Sequence, residues 1–448
     1  MNTPPFMRRL LGPIPGRGAL KPGAADPGTH KTVAACEALL SQRGEASGAA
    51  RAREALEAYA ALEGPALAEF FDVLAERFSP DPDEVELAAK AYRQESSPAN
   101  LIRLQHAVES PRQELFRRLN MAPEGTAALV EMRRRVLTGM KTKPDWAGIE
   151  SDLEHLLVSW FNRGFLMLQR IDWRSSALVL EKLIRYEAVH AIKGWRDLRR
   201  RLEADRRCFA FFHPALPDEP IIFIEVALTR GLSDRVQPLI DADSPVEDPA
   251  RADCAVFYSI TNCQEGLRGI SFGNFLIKQV AEDLGSEFPR LKTFATLSPV
   301  PGFASWLARA GNELALAPGG GAILAQLKML DQPLWWERQE SASTLRKLLM
   351  RLCAWYLIHV KRGDEPLDAV ARFHLGNGAD LERLNWMADS SESGLARAAG
   401  MMANYSYRIE DIERNHEQYA NRHEVAASAR LRALARECPL ASKESSKP

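Results

Sequence analysis

Between residues 255 and 303 the chain gathers residue types and spacings that can do chemistry. An apolar run, Ala255 to Ile260, precedes Gly266, Gly269 and Gly273; a helical stripe follows, then a second apolar run, Leu291 to Leu297, and Ser298-Pro299-Val300-Pro301. Glycines ahead of a helix let the backbone approach a ligand, and the free N–H groups and dipole of a helix start favour an anion. Arg268, inside the turn, can add a charge-assisted bond to a phosphate. The spacing matches neither G-x-G-x-x-G nor a P-loop, so residue types alone leave a phosphate cradle and a structural turn both open. If the two apolar runs are parallel strands, the helix between them is their crossover. Its N-terminus then shares a sheet edge with the C-terminal end of the second strand. Ser298 follows that strand directly, in a turn stiffened by Pro299 and Pro301.

Two kinds of periodicity surround this segment. From about residue 32 to 205 the pattern is helical: Leu67, Phe70, Phe71, Val73, Leu74 and Phe78 form one stripe, and Leu153, Leu156, Leu157, Trp160, Phe161 and Phe165 another. Ser79-Pro80-Asp81-Pro82, Ser97-Pro98 and Lys143-Pro144-Asp145 break the helices apart. From about residue 206, Cys208 to Phe212 and Ile221 to Thr229 read as strands; past residue 304 helices return, among them Glu340 to Val360. Gly285 offers a cap to the crossover helix. The expected fold is α+β and multidomain: an N-terminal all-α helical bundle followed by an α/β domain. The boundaries read as a disordered leader over 1–30, a helical domain over 31–160, a catalytic domain over 161–440 and a disordered tail over 441–448.

Composition narrows the function classes. Lys plus Arg number 58 against 59 Asp plus Glu, a balance that gives no general attraction to nucleic acid. Arg133-Arg134-Arg135 and Arg199-Arg200-Arg201 lie among Leu and Glu at helical spacing and read as solvated helix faces. No apolar run approaches the roughly 20 residues that cross a bilayer, so no membrane is expected as a partner. Six scattered cysteines without a C-x-x-C pair point to buried thiols in a reducing compartment, and no metal site is expected. The basic, proline-rich leader leaves two locations open: the cytoplasm, or the mitochondrial matrix if the leader is a presequence.

The glycine spacing is close to the pyrophosphate loop of the acetyltransferase-like (GNAT) fold. Six blocks in order, Phe211 to Thr229, Phe257 to Ile260, Gln264 to Lys278, Leu297 to Phe303 (LSPVPGF), Phe373 to Gly378 (FHLGNG) and Asn404 to Tyr407 (NYSY), resemble malonyl-CoA decarboxylases. The resemblance covers about residues 206 to 408 and implies a GNAT-like catalytic domain. It implies Ser298 and His374 as the catalytic pair, and Arg268, Gly269, Ile270, Ser271, Phe272, Gly273 and Asn274 as the acyl-CoA loop. Ser259 corresponds to a further active-site serine, and Tyr405 or Tyr407 to an active-site tyrosine. Some members carry an acid where this chain has Ser271, so a carboxylate there cannot be essential.

The implied reaction takes malonyl-CoA to acetyl-CoA and carbon dioxide, and the resemblance implies an assembly of four identical chains, a homotetramer, as members of the family form. Loss of carbon dioxide leaves an enolate on the thioester, which is its own electron sink, so no metal or organic cofactor is expected. Ser298 is expected to bond the malonyl carboxylate and act as proton acceptor, and His374, in a glycine-rich loop near its ordinary pKa of about 6.5, to act as proton donor. An acyl-CoA transferase or thioesterase on the same fold is the rival reading, although Leu297-Ser298-Pro299 is not a G-x-S-x-G elbow. A non-enzymatic CoA sensor is another.

Overall fold

A computed structural model describes residues 26–41, 45–270, 272 and 276–441. Most of the expected disordered leader (1–30) and tail (441–448) lies outside the described residues, but the helix Pro27–Ser41 begins inside the stretch read as leader, which corrects that boundary. The chain divides into two compact units. One comprises the chain up to Met167 with Phe212–Glu219 and Gln264–Phe272; the other comprises Leu168–Phe211, Pro220–Cys263 and everything from Gly273.

The first unit is helical, and the proline-containing breakers become helix starts. Asp81 caps the helix Pro82–Gln94 by accepting from Asp83 N, and Ser97 caps Pro98–Val108 by accepting from Asn100 N. Proline suits these first-turn positions because its missing N–H would have no helical partner there. The expected stripes face the core: Phe70, Phe71, Val73 and Leu74 are buried on Gly64–Arg77, and Leu153, Leu156 and Leu157 on Ala147–Trp160. Trp146 packs against Phe71 with ring centroids 4.9 Å apart, and its Nε1 donates to Asp72. At the end of the helix Gly125–Gly139 the backbone is pressed against that indole. A Cβ on Gly139 would lie 2.1 Å from a Trp146 ring carbon.

The second unit is built on a mixed sheet. Its strands are β1 (Met167–Ile171), β2 (Arg206–His213), β3 (Leu216–Thr229), β4 (Cys254–Asn262), β5 (Thr293–Thr296) and β6 (Ser298–Pro299), followed after a separate hairpin of β7 (Lys361–Arg362) and β8 (Glu365–Pro366) by β9 (Asp380–Asn385) and β10 (Met402–Ser406). β4 and β5 pair in parallel from Cys254↔Thr293 to Phe257↔Thr296, and the helix Leu276–Glu287 is their crossover, as the two apolar runs and the stripe between them suggest. That helix runs through Gly285 instead of ending at it. β10 pairs antiparallel with β9, β5 and β6. β1 interrupts the stretch read as helical up to residue 205.

Two of the arginine clusters correct the sequence reading. Arg133, Arg200 and Arg201 are buried, not solvated, whereas Arg199 stays exposed. Arg201 Nη1 donates to the fully buried Glu225 of β3 at 2.7 Å, and Arg200 Nη1 to Asp205 at 2.7 Å. The carboxylate that justifies burying Arg201 lies 24 residues away, so local spacing carried no sign of it. All six cysteines are free and buried, as their scatter suggests. Among the described residues no helix is long and apolar enough to cross a membrane.

Replacing Gly139 by Ala is expected to cost about 1–3 kcal/mol, the usual penalty for overpacking a filled core. A denaturant midpoint unchanged from the parent would show that the Trp146 ring yields freely.

Candidate functional site

Ser298 lies at the start of β6, beside a break in a strand. β5 and β6 meet β10 in one register, through Ala295↔Ser406, Ser298↔Ala403 and Pro299↔Met402, so they are two halves of one strand interrupted at Leu297. At the interruption the backbone finds other partners. Leu297 N donates to Phe257 O of β4 at 2.9 Å, and Thr296 O accepts from the side chain of the buried Asn404 at 2.7 Å. Tyr405 N, which lies across from this gap, donates to Thr296 Oγ1 at 3.3 Å. Ser298 was expected in a turn; it sits instead on a two-residue strand, because Ala403 takes up its backbone register.

His374 was read as a loop residue and is helical, in the last turn of Ala369–Gly376. Asp368 starts that helix, its Oδ1 accepting from Val370 N and Ala371 N at 3.0 Å each. Its other oxygen accepts from Tyr356 Oη at 3.2 Å and from Gly302 N, in the turn after β6, at 3.4 Å. One buried carboxylate thus ties the segment after Ser298 to the helix that carries His374. A side chain at Gly302 would meet Tyr356 Oη at 2.2 Å, so this approach needs a glycine. Asp368 was not singled out in the sequence, although Asp ahead of Ala-Val-Ala-Arg-Phe is a helix-start signal.

This helix and the interrupted strand bring Ser298 Oγ to 2.8 Å from His374 Nε2. Ser298 donates its one hydrogen to Thr296 Oγ1 at 2.8 Å. His374 Nε2 must therefore carry the hydrogen shared with Ser298, and His374 Nδ1 accepts from Tyr407 Oη at 2.8 Å. The Tyr405 ring stacks on His374, with centroids 4.5 Å apart. Ser298, His374, Tyr405 and Tyr407 are all buried. Burial pushes His374 from 6.5 down to about 3, which corrects the expected ordinary value, and pushes both tyrosine hydroxyls well up. The chain of groups is therefore uncharged at neutral pH. Of the tyrosines left open by the sequence, Tyr407 makes the polar contact and Tyr405 the ring contact.

Ser259, on β4 of the same unit, donates to the buried Glu187 at 2.8 and 2.9 Å and does not bond Ser298 or His374. Glu187 also accepts from Val189 N and His190 N, and was not singled out in the sequence.

The glycine-rich segment from Gln264 to Phe272 belongs to the first unit. Within it Arg268 and Gly269 are exposed, Ile270 and Phe272 are buried, and Gly269 has φ +86. Ser271, Gly273 and Asn274 lie outside the described residues. Gly266 has a structural reason: a Cβ there would lie 1.9 Å from Val130 O of the helix Gly125–Gly139. Buried Arg133 on that helix donates to Gly266 O at 2.8 Å and Arg268 O at 2.9 Å, and its other nitrogen pairs with Glu150 at 2.7 Å. An arginine read as solvated is the clamp on this segment. Among the described residues no group of His, Cys, Asp or Glu could hold a metal ion.

Lowering pH should destabilise the protein through His374. An unfolded His374 binds a proton near 6.5 and the folded one only near about 3, so stability present above 6.5 is lost as pH falls between these values. His374→Gln should be less stable than the parent at pH 7, and the difference in melting temperature should narrow on acidification. A difference that stays constant with pH would refute the neutral buried histidine.

Residues 164–446 match the family model of the malonyl-CoA decarboxylase C-terminal domain, and residues 78–161 that of the N-terminal domain. The mitochondrial malonyl-CoA decarboxylase of Anser anser anser is 36% identical over 414 residues, covering 85% of this chain and 82% of its own length. That of Rattus norvegicus is 35% identical over 399 residues, covering 82% and 81%. The malonyl-CoA decarboxylase structure from Rhodopseudomonas palustris matches with a TM-score of 0.87 and 48% identity, over 90% of this chain and 99% of that one. The structure from Agrobacterium vitis matches with a TM-score of 0.84 and 49% identity, over 90% and 99%.

Proposed function

Because the chain belongs to the malonyl-CoA decarboxylase family of carboxy-lyases, we propose that it converts malonyl-CoA to acetyl-CoA and carbon dioxide, with Ser298 protonating the enolate. The observation that carries the proton roles is the ordered chain Tyr407 Oη, His374, Ser298 Oγ, Thr296 Oγ1. Cleavage of the bond to the carboxylate sends its electron pair to the α-carbon and thioester oxygen. Ser298 turns its hydrogen from Thr296 to the α-carbon and gives it up there. His374 Nε2–H replaces it, and the Tyr407 hydroxyl supplies Nδ1. One proton is taken up from solvent in each turnover, and the histidine returns from the Nδ1–H to the Nε2–H tautomer to reset the chain. A neutral histidine suffices, because the first transfer is to a carbanion left by carbon dioxide and each later one is to a group that has just lost a proton. The thioester receives the electron pair, so the reaction runs without a metal or organic cofactor.

Arg268 to Asn274 are assigned to the coenzyme A diphosphate by their match to the family loop, with the buried Ile270 and Phe272 anchoring the segment and Gly269 and Arg268 facing outward. Ser259 and Tyr405 are assigned to the substrate side of the site on the same basis. A transferase or thioesterase needs Ser298 activated as a nucleophile by giving its hydrogen to a base. Here His374 Nε2 already carries the hydrogen shared with Ser298, so it is not placed to accept one from the serine.

Incubation with malonyl-CoA should yield acetyl-CoA in step with carbon dioxide. Release of free coenzyme A without acetyl-CoA would sink the assignment. Ser298→Ala and His374→Ala should each lower kcat by ~10²–10⁴, the range for a positioned acid or base, and together by much less than the product of the two. Strictly multiplicative losses would mean that the pair does not act as a unit.

The homotetramer expected from the family is also proposed, through the helices Pro82–Gln94 and Pro98–Val108. Their Leu87, Leu101, Ile102 and Val108 are exposed at 39 to 56%, an apolar surface with no partner in the single chain. Leu101→Glu with Ile102→Glu should give a smaller species in light scattering than the parent. A parent that is already monomeric, or an unchanged assembly, would count against it.

A further inference from the structure

A polar concavity lies in the same unit as Ser298 and takes no part in the proposed reaction. It has a volume of about 490 Å³ and brings together Arg235, Arg346, Arg383 and Arg430, with Asp234 as its one acid. Arginines elsewhere in this chain are mostly paired: Arg112 with Asp152, Arg133 with Glu150, Arg201 with Glu225, Arg207 with Glu287. The side chains of Arg235, Arg346 and Arg430 have no hydrogen bond or ion pair among the described residues. Four like charges around one hollow repel one another, and an anion in the hollow relieves that repulsion. Trp386 and Met387 supply an apolar wall, and Trp386 is held against Trp335 with ring centroids 5.9 Å apart. The size suits a small molecule and is too small for a folded partner. Several guanidinium forks facing one space match phosphate oxygens better than they match a single carboxylate.

The hollow connects to the catalytic strand. Arg383 is fixed by bonds to Leu232 O and Ser233 O at 3.1 Å each and donates to Asn404 Oδ1 at 3.1 Å. Asn385, also in the wall, donates to the same oxygen at 2.7 Å. Asn404 in turn donates to Thr296 O at 2.7 Å, and Thr296 Oγ1 accepts the hydrogen of Ser298. Leu297 packs with Val236, Val256 and Met402 on one face of the sheet, so alternation directs Thr296 and Ser298 to the other. The hollow is beside the first face, since Arg235 and Met387 immediately precede Val236 and Ala388 of that cluster.

We propose that this arginine-lined hollow is a binding site for a small molecule carrying two or more phosphate groups, distinct from the acyl-CoA site, whose occupancy reaches Ser298 through Arg383, Asn404 and Thr296. An anion drawing on the Arg383 guanidinium weakens its bond to Asn404, and the Asn404 amide holds the carbonyl at the strand break. The coupling rests on the catalytic role proposed for Ser298; the binding does not.

Calorimetry on the full chain with inorganic pyrophosphate at low ionic strength reads the binding without any assay of activity. One saturable site per chain is expected, weakened about ten-fold or more in Arg346→Ala with Arg430→Ala, both exposed positions, as loss of charge-assisted bonds implies. No saturable binding, or binding unaffected by those changes, overturns the site. Coenzyme A is the control: if it displaces pyrophosphate and the double variant raises KM for malonyl-CoA, the hollow is part of the substrate site and the proposal fails. Saturating pyrophosphate should change kcat in the parent and leave the double variant unmoved. Binding with no change in kcat overturns the coupling. A protein that binds pyrophosphate yet never decarboxylates malonyl-CoA would overturn the proposed reaction and leave the site standing.

Discussion

The interruption of one strand at Thr296 and Leu297 is the constraint on which the rest of the site depends. Breaking a ladder inside a buried sheet leaves polar groups that would each cost about 1–3 kcal/mol if unpaired. Here each is met. Leu297 N turns to β4, Thr296 O takes the Asn404 amide, and Tyr405 N takes the Thr296 hydroxyl. Because Thr296 Oγ1 is held in this way, it is in place to accept from Ser298, and that acceptance sets the direction of every hydrogen bond beyond it. A regular ladder would give Thr296 no such reason to stay.

Dryness sets the chemical character of the pair. With His374 pushed down to about 3, the imidazole is neutral, and a hydroxyl, that of Tyr407, supports it in place of a carboxylate. A carboxylate beside Nδ1 would stabilise an imidazolium and hold the positive charge. A phenol lets the ring relay a proton while staying neutral between turnovers. Asp368 does carry a carboxylate near by, but its oxygens are occupied by Val370, Ala371, Gly302 and Tyr356, so it acts on distance and angle. It holds the Ser298 segment and the His374 helix to one another.

Buried arginines do similar positioning work on backbone. Arg133 holds the carbonyls of Gly266 and Arg268 while Glu150 balances its charge, and Gly266 lies so close to Val130 that only a glycine fits. The glycines of the segment thus divide: Gly266 serves packing and Gly269 a positive φ. Gly378, in the motif around His374, is likewise shaped by the carbonyl of Ile412, which a Cβ would approach to 2.2 Å.

Local periodicity was enough for the helices of the first unit, for the parallel β4 and β5 with their crossover, and for placing Ser298 directly after a strand, because these depend on side-chain spacing and turn residues within about ten to twenty positions. Family resemblance added the histidine and the reaction class. Long-range pairing was hidden. Nothing near Arg201 announces Glu225, nothing near Arg133 announces Gly266, and nothing in LSPVPGF shows that its serine would be a strand residue opposite Ala403. The protonation of His374 was equally out of reach, since a pKa depends on the water excluded by residues from every part of the unit. Sequence by itself picked out Ser298, His374 and the two tyrosines, but not Thr296, Asp368 or Glu187. Tertiary structure alone decided which hydrogen each of them holds, because that depends on partners brought together from strands and helices far apart in the chain.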